Sequence, residues 1–331
     1  TKGDMTSASL TLLCVFWACA SGAGAVTYAP MGTPTEYMDS VPRSGDKTYK
    51  LAIRRWTPAG SPHATVILQH GGGFHSGYFD QLGTSLAEGG YSVVAMDTQG
   101  HGHSEGPGGI AYYDSVEKAQ DDLSKLAAQE KAKNPRASVV VMGESMGSIF
   151  VTPLGMRQDP NVDAIVLCGA LIKLAKPTAP PMVVQWILLA LGTLFPRKTF
   201  NIPELGETFD TAFGDPRWAK AARADPKVLV STFSLGNFPR MWWTTKRIRK
   251  GASKIKVPLL AMHSSIDTRT DFEALRKVVE DASSSDKTLI VYDDAAHQLF
   301  QDSDANVLRH IKDLTAWLDH RFKGAGASGA G

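Results

Sequence analysis

Short runs rich in β-branched and aliphatic residues recur along the chain, alternating with stretches whose apolar positions return every three to four residues. The first kind predicts strands at Tyr49 to Trp56, Ala64 to Gln69, Tyr91 to Met96, Ser138 to Met142, Ala164 to Leu167, Pro258 to Met262 and Thr288 to Tyr292. The second predicts helices at Phe79 to Glu88, Val116 to Lys133, Met146 to Met156, Phe272 to Ala282 and Ala305 to Phe322. This alternation predicts an α/β architecture: a mostly parallel, doubly wound sheet with helices on both faces. It lapses between Leu171 and Lys256, where Pro-rich turns, an apolar helix and two aromatic clusters intervene. That stretch, about 171–256, reads as a helical cap inserted into the fold. No internal repeat is present, and no linker divides the chain into halves.

A length of 331 residues with 43% hydrophobic content suffices for one large core, expected over 26–323. The formal net charge of +2 supplies no basic stripe, so nucleic acid is not an expected partner. Residues 10 to 20 form an apolar run too short to span a bilayer, followed by the small-x-small pattern Ala23-Gly24-Ala25. Residues 1–25 therefore read as a secretory signal, with a mature start at Val26 and a secretory or extracellular destination. Lys2 and Asp4 nearly cancel ahead of that run, which keeps a membrane anchor or an organellar presequence as alternatives. Cys14 and Cys19 would leave with the leader, and Cys168 alone cannot form an intrachain disulfide. The Gly/Ala-rich tail, 324–331, is expected to be disordered.

Gly143-Glu144-Ser145-Met146-Gly147 lies between the strand run SVVVM and a helical pattern, the context of a nucleophile elbow. A strand turning sharply into a helix strains the nucleophile, and glycines two residues to either side remove the Cβ atoms that would collide. His70-Gly71-Gly72-Gly73 follows the strand run ATVILQ, where bare backbone N–H groups can face a substrate oxygen. The N–H groups of Gly72 and Met146 are the expected oxyanion donors, with Gly73 as the alternative to Gly72. His297 follows the last strand run, and Asp267 lies on the loop after the preceding one, so the chain order is Ser, Asp, His. Asp271 is the rival acid, although it stands where a helix cap belongs. His75, His101 and His103 lack a supporting carboxylate pattern, so no metal site is expected, and acyl transfer through a serine requires no cofactor.

With these residues in place, the sequence from about Tyr49 to Phe322 resembles the monoacylglycerol lipase and lysophospholipase family of α/β hydrolases. The most specific stretch is His70 to Gly106, which contains the D-x-x-G-H-G-x-S-E-G segment after the third strand. GESMG, AFGDPRWAKAARADP and DKTLIVYDDAAH look most like plant and algal members. The resemblance implies the α/β-hydrolase fold, with Ser145 as nucleophile, Asp267 as acid, His297 as base, and Gly72 and Met146 as oxyanion donors. It also implies a lipid ester, a monoacylglycerol or lysophospholipid, as substrate. HGGGF also occurs in the hormone-sensitive-lipase-like esterases, but their nucleophile motif is usually GDSAG.

Some positions depart from that pattern. In animal members a Glu follows the HGxG motif, an Arg comes four residues later and a His stands three after the catalytic His, together holding the glycerol head. Here those positions are Phe74, Tyr78 and Phe300. An aromatic alcohol pocket built from them should recognise a polyol poorly, which favours an aryl or hydroxycinnamoyl ester as the alternative substrate. The scaffold also carries thioesterases, aminopeptidases and non-catalytic ligand-binding homologues, and the intact Ser-Asp-His set argues against the last. Ser148 replaces a glycine usual after GxSMG, a small-for-small change. Pro180 to Pro196 contains an apolar helix with Lys173, Lys176, Arg197 and Lys198 flanking it, compatible with lying at a lipid surface or packing over the core. Met241-Trp242-Trp243 divides in the same way between an interfacial patch and an ordinary solvated face.

Overall fold

A computed structural model describes residues 32–42, 47–201, 206 and 208–323. The expected leader and the Gly/Ala tail lie outside the described residues. Eight strands form one sheet in the order β1-β2-β4-β3-β5-β6-β9-β10. They are β1 (Glu36–Asp39), β2 (Lys50–Trp56), β3 (Ala64–Gln69), β4 (Ser92–Met96), β5 (Ser138–Glu144), β6 (Ala164–Cys168), β9 (Leu259–Ser264) and β10 (Lys287–Tyr292). β2 runs antiparallel to β1 and β4, and every other pairing in this sheet is parallel. Five helices cover it: α1 (Asp80–Glu88), α2 (Val116–Lys133), α3 (Ser148–Met156), α7 (Phe272–Asp281) and α8 (Asp304–Phe322).

The near-continuous apolar runs of the central strands follow from this coverage, because alternate side chains feed two separate cores. Ile67, Val139, Val141, Ile165 and Leu259 join Leu123, Ile149 and Val278, from α2, α3 and α7, on one face. Val66, Leu68, Val140, Met142 and Leu260 join Leu82, Leu86, Leu314 and Leu318, from α1 and α8, on the other. Each such aliphatic side chain contributes roughly 1.5–3 kcal/mol when fully buried. Helix starts are set by side-chain caps. Ser115 accepts from Lys118 N (3.0 Å), and Asp271 accepts from Ala274 N (3.0 Å).

Between β6 and β9 the chain forms α4 (Met182–Leu194), the short antiparallel pair β7 (Thr199–Asn201) and β8 (Thr232–Ser234), α5 (Pro216–Ala224) and α6 (Asn237–Gly251). The expected insertion limit of 256 overruns the cap. Ile248, Ala252 and Ile255 are buried in the same core cluster as Ile149 and Leu275. The second half of α6 thus belongs to the α2/α3/α7 layer, while near its start a Cβ on Gly192 of α4 would lie 2.7 Å from Pro239 Cδ. On α4, only Leu188, Leu189 and Gly192 are buried, while Met182, Val183, Trp186, Ile187 and Leu194 are each more than half exposed. Among the described residues no helix is long and apolar enough to cross a membrane.

Candidate active site

The residues expected to act together meet at the C-terminal ends of the parallel strands. Ser145 begins the turn between β5 and α3 with φ of 48°, in the left-handed region that side chains other than glycine rarely occupy. Its flanking glycines are required by space. A Cβ on Gly143 would lie 2.7 Å from the Gly147 carbonyl carbon, and one on Gly147 would strike the backbone oxygens of Gln69 and His70. Ser148 is more than a small replacement. Its hydroxyl donates to Ser145 O (2.6 Å) and accepts from Leu171 N (2.9 Å), tying the elbow to the segment after β6.

Ser145 Oγ–H donates to His297 Nε2 at 2.9 Å, and His297 Nδ1–H donates to Asp267 Oδ2 at 2.7 Å. The Nδ1–H tautomer is the one a neighbouring carboxylate selects, leaving Nε2 free to take a proton. Burial disfavours the charged Asp267 carboxylate, but His297, assisted by His263 and the Arg269 N–H, outweighs it and holds the group well below the usual carboxylate range. The rival acid has other duties. Asp271 caps α7 and pairs with Lys173 Nζ at 2.8 Å.

The HGGG loop runs beside the elbow. A Cβ on Gly71 would stand 3.2 Å from Ser145 Cβ, and one on Gly72 would stand 3.3 Å from Met146 Sδ, so the two expected donor residues are neighbours. Gly73 has φ of 80°, and a Cβ there would be 2.7 Å from Leu229 O of the cap. Its own carbonyl accepts from Leu229 N (2.9 Å). On the other side of the site, Gln298 N–H, next to His297, donates to Ala212 O of the cap (2.8 Å). The cap is thus bonded to the loops on both sides of Ser145.

The expected three-residue alcohol pocket is not assembled. Phe74 and Tyr78 do meet, edge to face at 5.1 Å, and Phe74 continues into Phe209 and Phe213 of the cap at 6.1 and 6.0 Å. Phe300 instead lies in the buried cluster of the α1/α8 face, beside Leu299 and the His310 ring. The cause is a turn in which Gln301 N–H donates to Gln298 O (3.1 Å), while Leu299 O is taken by His310 Nδ1–H (2.6 Å). The Tyr78 hydroxyl is also committed, donating to Asp225 Oδ2 (3.3 Å) at the end of α5. His75 Nε2–H donates to the same oxygen (2.9 Å), and its Nδ1 accepts from Gly77 N (3.1 Å).

Of the remaining histidines of this region, the His70 and His101 rings hold backbone. His70 Nε2 accepts from Thr98 N (2.9 Å), and Asp97 accepts from the N–H groups of Ser76 (2.6 Å) and His103 (2.9 Å). His101 is pushed down to about 3 by burial and the nearby His70, which keeps it neutral. Glu144, inside the elbow motif, is pushed up to about 7 by burial.

A strained strand-to-helix serine bonded through histidine to a carboxylate, at the carboxyl edge of a mostly parallel sheet, defines an α/β hydrolase. A family model described as "Serine aminopeptidase, S33" matches residues 60–304, and the chain belongs to that family. Among curated proteins, it is 26% identical over 314 residues to the caffeoylshikimate esterase of Arabidopsis thaliana, covering 89% of this chain and 91% of that one. With the monoglyceride lipase of Mus musculus the identity is 25% over 278 residues, covering 84% and 89%. Two solved structures share its fold. The monoglyceride lipase of Saccharomyces cerevisiae aligns with a TM-score of 0.74 at 21% identity, covering 88% of this chain and 97% of that one. The monoacylglycerol lipase of Paleococcus ferrophilus aligns with a TM-score of 0.70 at 23% identity, covering 81% and 98%.

Proposed function

We propose that this chain is a serine hydrolase that cleaves carboxylic esters of lipids, a monoacylglycerol or a lysophospholipid, through an acyl-enzyme. The observation that carries the reading is the unbroken chain of hydrogen bonds from Ser145 through His297 to Asp267. In the proposed cycle His297 Nε2 takes the Ser145 proton as Oγ attacks the ester carbonyl, and the N–H groups of Gly72 and Met146 hold the oxyanion. Asp267 orients the imidazole and stabilises its cation. The alcohol leaves with the proton from His297, and water then reverses the sequence to release the acid.

The lipid substrate is supported by the monoglyceride lipases among the relatives and by the outer surface of α4. Met182, Val183, Trp186, Ile187 and Leu194 are exposed there, with Trp243 of α6 also more than half exposed and Lys246 above the Trp242 and Trp243 rings at 4.8 and 5.1 Å. An amphipathic surface of this kind suits contact with a lipid interface, from which acyl chains would enter beneath the cap. A second reading, an esterase for aryl or hydroxycinnamoyl esters, draws on the buried aromatic group of Phe74, Tyr78, Phe209 and Phe213 and on the caffeoylshikimate esterase relative. A hydrolysis panel of monoacylglycerol, lysophosphatidylcholine, a short aryl ester and a hydroxycinnamoyl ester separates the two. The lipid reading expects the highest kcat/KM on one of the first two, and a preference for the hydroxycinnamoyl ester would replace it with the second.

A further inference from the structure

Thr270, which has no part in the cycle above, is 2% exposed and lies directly behind the acid. Its hydroxyl has four polar neighbours: Asp267 Oδ2 at 2.8 Å, Gly169 O at 3.1 Å, His263 Nε2 at 3.2 Å and His297 Nδ1 at 3.4 Å. A hydroxyl has one proton to give, so these neighbours compete. His297 Nδ1–H is committed to Asp267, and His263 gives its own Nδ1–H to Ser264 O at 2.7 Å, which leaves His263 Nε2 a bare lone pair. Of the three acceptors the Asp267 carboxylate is both the nearest and the only charged one, so it takes the proton.

The other carboxylate oxygen is held as well. Asp267 Oδ1 accepts from Arg269 N at 2.6 Å and from Thr270 N at 3.1 Å. Thr270 therefore grips both oxygens of the acid, one through its backbone and one through its side chain. An isolated antiparallel bridge to Leu174 fixes the threonine in turn.

We propose that Thr270 is a positioning residue for the reaction, its hydroxyl setting the rotation of the Asp267 carboxylate toward His297 and sharing the negative charge that the imidazolium meets. This rests on the reading of Ser145, His297 and Asp267 as the catalytic set. Two consequences follow from removing the hydroxyl. A less constrained acid aligns the imidazole less well, which lowers kcat but leaves KM nearly unchanged, since the buried Thr270 touches no substrate. A carboxylate with one donor fewer also presses more charge on His297, so the imidazolium holds its proton to a higher pH and the acid limb of activity moves up. Besides Thr270, the side chains facing Asp267 are His297, His263 on β9, Arg269 on its own loop and Cys168 on β6, and the buried Glu144 at the end of β5 faces His297. Burial lowers His263 and raises Cys168, so both stay neutral, and Arg269 stays charged; Glu144, pushed up to about 7 by burial, is common to wild type and both variants, so the limb is read as a difference between them.

The test compares wild type, Thr270→Val and Thr270→Ser in the full chain with a chromogenic ester over roughly pH 5 to 9, counting competent sites with a fluorophosphonate so that misfolded material is discounted. Thr270→Val is expected to lose ~10-fold in kcat per titrated site with KM within ~2-fold, and to shift the acid limb upward by ~0.5 pH unit. Thr270→Ser is expected to return to within ~3-fold of wild type with the original acid limb. A valine variant with wild-type kcat and an unshifted limb would overturn the proposal, as would a serine variant equally impaired, which would reduce Thr270 to packing. Wild type that fails to label at Ser145 would remove the underlying catalytic reading and this proposal with it.

Discussion

Replacing Asp225 with alanine should release the cap from the loop that follows the HGGG motif. Asp225 Oδ2 is the acceptor for His75 Nε2–H at 2.9 Å and for the Tyr78 hydroxyl at 3.3 Å, and the two donors are only 3% and 4% exposed. Neither is placed to reach bulk water, so the loss is the cost of stranding two buried donors. At about 1–3 kcal/mol for each, and with the longer Tyr78 bond at the low end, the sum is roughly 2–4 kcal/mol. For a domain of this size 1 kcal/mol corresponds to roughly 2–4 °C, so Tm should fall by about 5–15 °C. Asp225→Asn keeps a neutral acceptor and should lose about half as much. Because His75 also caps the turn after Phe74 through Gly77 N, kcat/KM should fall in parallel. Calorimetry and ester kinetics on the two variants provide the comparison. An alanine variant melting within ~1 °C of wild type would refute the idea that these bonds hold the cap down.

Glu144→Gln tests the other buried carboxyl of the elbow. Burial raises its folded value from the ordinary 4.5 to about 7, so the wild-type fold loses stability as pH rises through that window and regains none above it. The glutamine variant should match wild type at pH ~4 and exceed it by on the order of 3 kcal/mol at pH ~8, measured by denaturant unfolding; equal stability at both would contradict the assignment. Gly147→Ala forces a Cβ against two backbone oxygens and should cost at least ~2 kcal/mol and abolish fluorophosphonate labelling; a fully active variant would mean the elbow yields. Phe300→His buries an imidazole among apolar side chains, so it should lower Tm without improving monoacylglycerol turnover, and a gain in turnover would return Phe300 to the pocket.

The strands and helices of the sheet were legible because their apolar patterns are long and bounded by turn residues. The predicted Ala64 to Gln69 and Val116 to Lys133 match the observed elements at both ends. β1 escaped notice because only Met38 of its four residues is buried, and the three-residue strands of the cap are too short to show a period. Motif and chain order sufficed to bring Ser145, Asp267 and His297 to one place, since the fold carries each to the carboxyl end of a strand. Phe300 was misread because counting three residues past His297 says nothing about the turn at Gln298 that carries its side chain into the core. Ser148 read only as a small-for-small change and Thr270 gave no signal, as a hydroxyl among small residues shows its bonds only once the chain is folded.

The central claim, that Ser145 is the nucleophile of an ester hydrolase, is tested most directly by mass spectrometry of the protein after reaction with a fluorophosphonate. The expected result is one adduct per chain, mapped to Ser145 and absent from Ser145→Ala. No adduct on folded wild type, or one mapped to another residue, would contradict it.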